Sequence, residues 1–263
     1  MEALPAKQLV ISAGISKTSY AEVVELCREW ISQRRAGANA ATRYICVTSA
    51  HGIIQAKDEP DFAEILNSAD IATPDGMPVV WALRSFGARG QQRVYGPTLM
   101  LELCRSAAEN GHRLYLYGGH EDVLPLLESS LCRRFPGLRV AGRYAPPFRA
   151  LTEEEDLAIQ EKIQSSGADL IFVGLSTPKQ ERWMFAHRLA FPGAIMIGVG
   201  AAFDFHAGRT KQAPGWMQRL GLEWLFRLGT EPRRLWRRYV LVTPRFLPLW
   251  LRQWLKTKRE SGV

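Results

Sequence analysis

"LIFVGLSTPKQE", residues 170–181, changes character halfway along. Its first part is a short apolar run of Leu, Ile, Phe and Val that ends in small residues, the pattern of a strand buried on both faces. Its second part reads as a helix start, with Thr177 as N-cap, Pro178 at the first helical position and Gln180 at the third, a capping box. The strand pattern recurs in "RYICVTSA" (43–50), "RLYLYGG" (113–119) and "AIMIGVG" (194–200). Helix candidates lie between these runs: "YAEVVELCREWISQRR" (20–35), "EDVLPLLESSLCRRF" (121–135) and "LTEEEDLAIQEKIQSSG" (151–167), the last with acidic residues in its first turn. Strand and helix alternating in this way predict an α/β fold, a parallel sheet covered by helices on both faces. "RYAPPFRALTEEE" (143–155) reads as a loop.

The chain has 263 residues, 46% of them hydrophobic, enough for one sizeable domain or a domain with an appendage. Cys27, Cys46, Cys104 and Cys132 are scattered without metal or redox spacing, and no signal-sequence pattern opens the chain, so a reduced, cytoplasmic protein is expected. No run of apolar residues is long enough to span a membrane. The net charge of +8 is uneven. Residues 209–263 carry 13 Lys and Arg against 3 Glu, a net of +10, which leaves −2 for residues 1–208. Five of the eight tryptophans, Trp216, Trp224, Trp236, Trp250 and Trp254, lie in the same tail. The composition shift divides the chain into a body, 1–208, and a basic, Trp-rich appendage, 209–263. Arginine interleaved with tryptophan suits a surface that meets phosphate groups and an apolar boundary together, as at a membrane interface. A helical tail with a solvated basic face explains the composition equally well. No nucleic-acid-binding signature is present.

In an open parallel sheet, ligands bind at the carboxyl ends of the strands, where glycine loops and helix N-termini offer backbone N–H groups to anions. Gly118 and Gly119, Gly174, and Gly198 and Gly200 end three of the strands, and a nucleotide diphosphate is the natural guest. Turn geometry alone also accounts for glycines at such positions. The dinucleotide fingerprint and the Walker A sequence are both absent, and "GVGAAFDF" lacks the third glycine. In "ATPDG" (72–76), Thr73 reads as a helix cap and Asp75 as an acid at the positive helix end. Gly76 would weaken that helix start by roughly 1 kcal/mol relative to alanine, which points to close approach by another group.

"TPDGMPVVWALR", "RVYGPTLM", "LYLYGG", "GLSTPKQERWM", "GVGAAFDFHAGRTKQAPGWMQRLGLEWLFRL" and "EPRRLWRRY", in order from about residue 43 to 240, resemble the WecG/TagA/CpsF family of bacterial glycosyltransferases, the family 26 enzymes. The resemblance implies a Rossmann-like sheet with a helical C-terminal appendage. It implies an inverting, metal-independent enzyme without a cofactor, which moves a sugar from a nucleotide diphosphate, usually UDP, to a polyprenyl-diphosphate-linked sugar. The enzyme would be attached peripherally to the cytoplasmic face of the cell membrane. By motif, Asp75 takes the place of the catalytic base and Thr48, in "CVTSAHG", that of a threonine near the sugar. Ala50 departs from the asparagine common there. Gln180 is implied to contact a sugar, Asp204 of "FDF" the nucleoside, and Arg227, Arg234 and Arg237 the diphosphate.

Inverting glycosyl transfer needs a carboxylate to take the acceptor hydroxyl's proton and a cation to receive the departing diphosphate. One aspartate and a set of arginines supply both, since arginine is permanently charged and bidentate toward phosphate. No Asp-x-Asp pair is present; "DEPD" (58–61) and "EEED" (153–156) read as solvated acids, and His51, His120 and His206 as local polar residues rather than metal ligands. Two other classes compete. A nucleotide-sugar epimerase or dehydrogenase would need a dinucleotide fingerprint and a Tyr-x-x-x-Lys pair, which Tyr95 does not begin. A non-catalytic membrane scaffold would explain the tail but not Asp75, Gln180 and Asp204. Both glucose and N-acetylmannosamine, or its uronic acid, fit as the transferred sugar, and a homo-oligomer is compatible with the sequence.

Overall fold

A computed structural model describes residues 3–37 and 41–260. In chain order, β1 (Lys7–Val10) and β2 (Ala13–Ser16) precede α1 (Tyr20–Arg35), β3 (Arg43–Thr48), α2 (Ala50–Asp58), α3 (Pro60–Asn67), β4 (Ile71–Pro74) and α4 (Met77–Ser85). There follow α5 (Gly96–Asn110), β5 (Arg113–Gly118), α6 (Val123–Arg134), β6 (Arg139–Tyr144), α7 (Glu153–Ser166), β7 (Leu170–Gly174), α8 (Lys179–Ala186), β8 (Ile195–Gly198) and α9 (Ala202–His206). The C-terminal part is helical throughout: α10 (Gly215–Arg219), α11 (Glu223–Thr230), α12 (Pro232–Trp236), a π-helical stretch Arg237–Val242, a 3-10 turn Thr243–Arg245, and α13 (Phe246–Glu260).

The four apolar runs form β3, β5, β7 and β8 of a six-stranded parallel sheet in the order β4-β3-β8-β7-β5-β6, the expected Rossmann-like architecture. Two compact units are built on this chain, one of residues 20–46 and 96–211, the other of 3–19, 47–95 and 212–263. In the first unit the core is the fully buried run Ile171, Phe172 and Val173 with Leu114, Leu116, Ile195 and Ile197 on neighbouring strands. Continuous burial on both faces is the reason these strands read as unbroken apolar runs. In β6, "RVAGRY", the residues are half-buried or exposed, and the apolar signal is correspondingly thin. The 143–155 segment read as a loop therefore begins inside β6 and ends inside α7.

Helix starts needed the larger corrections. A capping box exists, but on α7. Thr152 Oγ1 accepts from Glu155 N–H at 3.2 Å, and Glu155 Oε2 accepts from Thr152 N–H at 3.0 Å. The capping box expected at residues 177–180 does not form. The Thr177 hydroxyl donates instead to Glu181 Oε1 at 2.9 Å, and α8 begins at Lys179, after Pro178. Thr73 is not a cap either: it lies inside β4, fully buried, because the strand extends through Pro74. Gly76 is the residue that precedes α4, with φ of +87°, a conformation that glycine adopts without steric cost.

Within the second unit, residues 212–263 are tied down by specific bonds. Arg245 makes a two-bond pair with Asp58 at 2.6 and 2.8 Å. The Trp250 indole N–H donates to Ser85 Oγ at 3.0 Å. Gln253 bridges the turn between β1 and β2, accepting from Ile11 N–H at 2.7 Å and donating to the Leu9 carbonyl at 3.0 Å. Phe246 is buried, while Leu247, Leu251 and Leu255, spaced by four along α13, are exposed. Among the described residues no helix is long and apolar enough to cross a membrane.

Candidate functional site

In the first unit the strand register aligns glycines at the carboxyl edge of the sheet. Gly118 pairs with Gly174, and Val173, just before Gly174, pairs with Gly198. Main chain packs on main chain here: a Cβ on Gly118 would lie 2.7 Å from the Gly174 carbonyl carbon, and Gly118 has φ of +112°. The Phe203 ring of α9 covers Gly174 and Gly119, at 2.7 and 3.2 Å from the positions their Cβ atoms would take. Asp204 is the next residue on that helix and is half-buried.

Gln180 belongs to the same edge. It is 3% exposed, and a Cβ on Gly198 would lie 2.9 Å from its Nε2. That amide group donates to Glu181 Oε1 at 3.0 Å, which leaves Gln180 Oε1 buried without a hydrogen-bond partner on the Gly200 side. A buried acceptor of this kind costs about 1–3 kcal/mol unless something donates to it. Gly118, Gly119, Gly174, Gly198, Gly200, Gln180 and Asp204 are thus assembled by one sheet edge and the helices that follow it. Its one carboxylate is Asp204, and the Gly119 N–H already donates to the Gly174 carbonyl at 3.0 Å.

The second unit holds a charged pocket. Thr48 ends β3, buried, and its carbonyl accepts from Asp75 N–H at 2.9 Å, so the two strand ends are locked side by side. Asp75 stands at the tip of β4, ahead of Gly76. Arg93 approaches it laterally, with Nε 2.9 Å and Nη2 2.8 Å from Asp75 Oδ1. The same Nη2 lies 2.7 Å from Glu223 Oε2, and the Tyr95 hydroxyl donates to Glu223 Oε1 at 3.0 Å. The Arg93 guanidinium also lies 4.0 Å over the Tyr95 ring. Asp75, Arg93 and Glu223 are each less than 20% exposed. Burial alone would lower the basicity of Arg93, but the two carboxylates outweigh it and hold the guanidinium charged. Burial, then Glu223 and Asp75, push the Tyr95 hydroxyl up, so it stays a donor.

Ser49, His51, Arg227, Arg238 and Tyr239 complete the pocket walls. Arg238 donates to Ser49 Oγ at 3.2 Å from the π-helical stretch, a geometry often found where helices carry functional groups. Burial and the Arg238 charge depress His51 to about 4. Of the three arginines expected at a diphosphate, Arg227 lines this pocket. Arg234 pairs instead with Glu231 at 2.6 Å, and Arg237 lies over the Trp236 ring at 5.5 Å; neither lines the pocket. Among the described residues no three His, Cys, Asp or Glu side chains converge as a metal-ligand set.

Sequence alone assigns no site role to Arg93, Glu223 or Arg238, reads His51 as a local polar residue, and considers Tyr95 only as a start for Tyr-x-x-x-Lys. The signal was present for two of them, since Arg93 and Tyr95 open "RVYGPTLM". Glu223 is one of three acids among 13 Lys and Arg in residues 209–263, and nothing local distinguishes it from the other two.

Comparison with known proteins follows the same geometry. The family model described as "Glycosyl transferase WecG/TagA/CpsF family" matches residues 9–260, and so takes in both units. A protein of Bacillus subtilis named N-acetylglucosaminyldiphosphoundecaprenol N-acetyl-beta-D-mannosaminyltransferase is 34% identical over 182 residues, 69% of this chain and 69% of its own length. One of the same name from Bacillus spizizenii is 34% identical over 208 residues, 79% of this chain and 77% of its own length.

Proposed function

This chain belongs to the WecG/TagA/CpsF family of glycosyl transferases, and on that premise we propose that it transfers a hexosyl group, with inversion, from a UDP-sugar to a saccharide linked to polyprenyl diphosphate. The observation that carries this reading is the pocket in which Asp75, held by Arg93, faces Arg227 and Arg238. Asp75 takes the proton of the acceptor hydroxyl as that oxygen forms its bond to the anomeric carbon. The anomeric C–O bond to UDP breaks, and the electron pair leaves on the diphosphate. Guanidiniums receive that charge, the task a bound metal performs in other nucleotide-sugar enzymes, so the reaction is metal-independent and uses no cofactor. Thr48 orients the strand end that carries Asp75.

Donor recognition is assigned to the glycine edge of the first unit. Its backbone N–H groups suit a diphosphate, Asp204 a ribose, and the unsatisfied Gln180 Oε1 a sugar hydroxyl. Arg234 and Arg237 are assigned to the acceptor's diphosphate or to anionic lipid, since both are exposed. The names of the two Bacillus relatives favour N-acetylmannosamine as the transferred sugar and lipid-linked N-acetylglucosamine as acceptor; glucose is the alternative, because Ala50 replaces the family's usual asparagine. Residues 209–263, with exposed Leu247, Leu251 and Leu255 beside lysine and arginine, attach the protein peripherally to the cytoplasmic membrane face. The body, 1–208, thus supplies the base and donor recognition, while the tail serves membrane recruitment and also brings Arg227 and Arg238 to the pocket.

A panel of UDP-sugars, assayed for UDP release with and without a short-chain lipid-diphosphate N-acetylglucosamine acceptor, tests the reaction. Acceptor-dependent release with one donor, and a product of matching mass, are expected; no release with any donor would favour a non-catalytic scaffold. Co-sedimentation with anionic vesicles tests attachment, and binding to neutral and anionic vesicles alike would remove the arginines from that role.

A further inference from the structure

A general base has to be held in one orientation while an oxygen stays available for the incoming proton. Arg93 holds Asp75 through a single oxygen, Oδ1, with two donor nitrogens within 2.9 Å. In the pocket with Asp75 and Arg93 the other charged or titratable groups are Arg227 on α11, Arg238 and Tyr239 on the π-helical stretch, His51 on α2, Tyr95 beside Arg93, and Glu223. His51 is depressed to about 4 and therefore neutral near pH 7, and Tyr95 remains protonated. Three guanidiniums thus line the pocket with Asp75, and Glu223 is the other carboxylate in that lining.

We infer that Glu223 is a positioning residue for Asp75 that acts through Arg93: by sharing the guanidinium, it lets Arg93 hold the aspartate in place without directing its whole charge at it. The geometry is specific. Glu223 uses Oε2 for Arg93 at 2.7 Å and Oε1 for the Tyr95 hydroxyl at 3.0 Å, and Tyr95 in turn lies under the Arg93 guanidinium. Oε1 accepts a hydrogen bond from Tyr95, whereas Oε2 meets Arg93 as an ion pair without an aligned hydrogen bond, so Arg93 is held from one side by an acid's charge and from below by a ring. Glu223 does not touch Asp75 in this network; it sets the direction and net charge of the group that does. Because Glu223 is the first residue of α11, the C-terminal segment supplies the counter-charge on which the base depends.

The inference rests on Asp75 being the base, and the experiment separates the two. The full-length protein is assayed with UDP-N-acetylmannosamine and a short-chain lipid-diphosphate N-acetylglucosamine acceptor between pH 4.5 and 8.5, as wild type, Glu223→Gln, Glu223→Asp and Tyr95→Phe. Glu223→Gln keeps shape and an acceptor oxygen but removes the charge. It is expected to lower kcat about tenfold and leave the donor KM within about twofold. Glu223→Asp should recover most of kcat. Tyr95→Phe, which loosens Glu223 without removing its charge, should lower kcat by about threefold and guards against a misfolded Gln variant, with circular dichroism as the check of fold. Wild-type kcat in Glu223→Gln would overturn the inference. So would equal losses in the Gln and Asp variants with a raised KM, which would mark Glu223 as merely structural. Turnover retained in Asp75→Asn would instead defeat the reading beneath it.

Discussion

The two units build their candidate sites by opposite means. At the sheet edge of the first, glycines make room: Gly118 lets backbone meet backbone, Gly174 and Gly198 admit the Phe203 ring and the Gln180 amide, and Gln180 Oε1 is neutral, buried and without a hydrogen-bond partner. In the pocket of the second, charge is concentrated: Asp75, Arg93, Glu223, Arg227 and Arg238 line one concavity. The first arrangement suits binding, because a rigid frame of N–H donors loses little entropy when a ligand arrives. The second suits chemistry, because partly buried charges exert strong fields on atoms whose own charge changes during reaction. Substitutions in the pocket should therefore act on kcat, and substitutions at the glycine edge on KM.

The largest break in this comparison is Asp75→Asn. The amide keeps the shape and can still accept from Arg93, but it cannot take a proton. Transfer is expected to fall by about 10³-fold or more while UDP affinity, measured by calorimetry, changes by less than about threefold. A comparable loss of UDP binding would mean that the pocket binds as much as it reacts. Next comes Arg238→Ala, which removes a guanidinium held 3.2 Å from Ser49 Oγ in the same pocket. If it receives charge on the leaving diphosphate, kcat should drop by about 10²-fold, with a smaller effect on KM. Equal effects on both would make it a binding group like those of the first unit.

These two regions were not equally legible. The glycine edge could be read because each of its parts sits at the end of an apolar run, and strand and loop are contiguous in sequence. Register then adds only what neighbours what, as Gly118 beside Gly174. The charged pocket draws on residues near 50, 75, 93, 223 and 238. Asp75 could be proposed because "DG" follows a strand, but its partner Arg93 comes from a loop with no periodicity. Glu223 is one acid among many arginines. The misplaced helix caps have a related cause. Thr73 and Thr177 are both followed by Pro, so each has the local chemistry of a cap, and only the strand's extent in one case and Glu181 in the other decide against it. Local pattern reports what a segment can do, whereas tertiary partners select what it does.

On the glycine side the sharper test is Gly198→Ala. The added methyl would lie 2.9 Å from both Gln180 Nε2 and Met184 Cε. Both are ends of flexible side chains, so the fold should survive while Gln180 turns away from its present position. Donor KM is expected to rise about tenfold with kcat within about twofold. A fall in kcat with unchanged KM would instead move Gln180 from donor binding into the chemical step and blur the division between the two regions.

The smallest effect concerns stability, and it too belongs to the charged pocket. His51 is depressed to about 4 by burial first and by Arg238 second, against 6.5 in an unfolded chain. Between those values the unfolded chain binds a proton that the folded one refuses, so stability rises with pH across this window. The contribution is fully present above about pH 6.5 and is lost as pH falls toward 4. At pH 5 the loss relative to pH 7.5 should be about 1–2 kcal/mol, after allowance for partial solvent contact. His51→Asn, which cannot take up that proton, should lose correspondingly less stability over the same interval, as measured by urea unfolding at both pH values. The measurement also reads the pocket's field. If Arg238 contributes to the depression, Arg238→Ala should reduce the pH dependence part of the way, since the larger share comes from burial. An unchanged pH dependence in Arg238→Ala would mean that the arginine's charge is already compensated at His51, and that the pocket is less positive than its arginines imply.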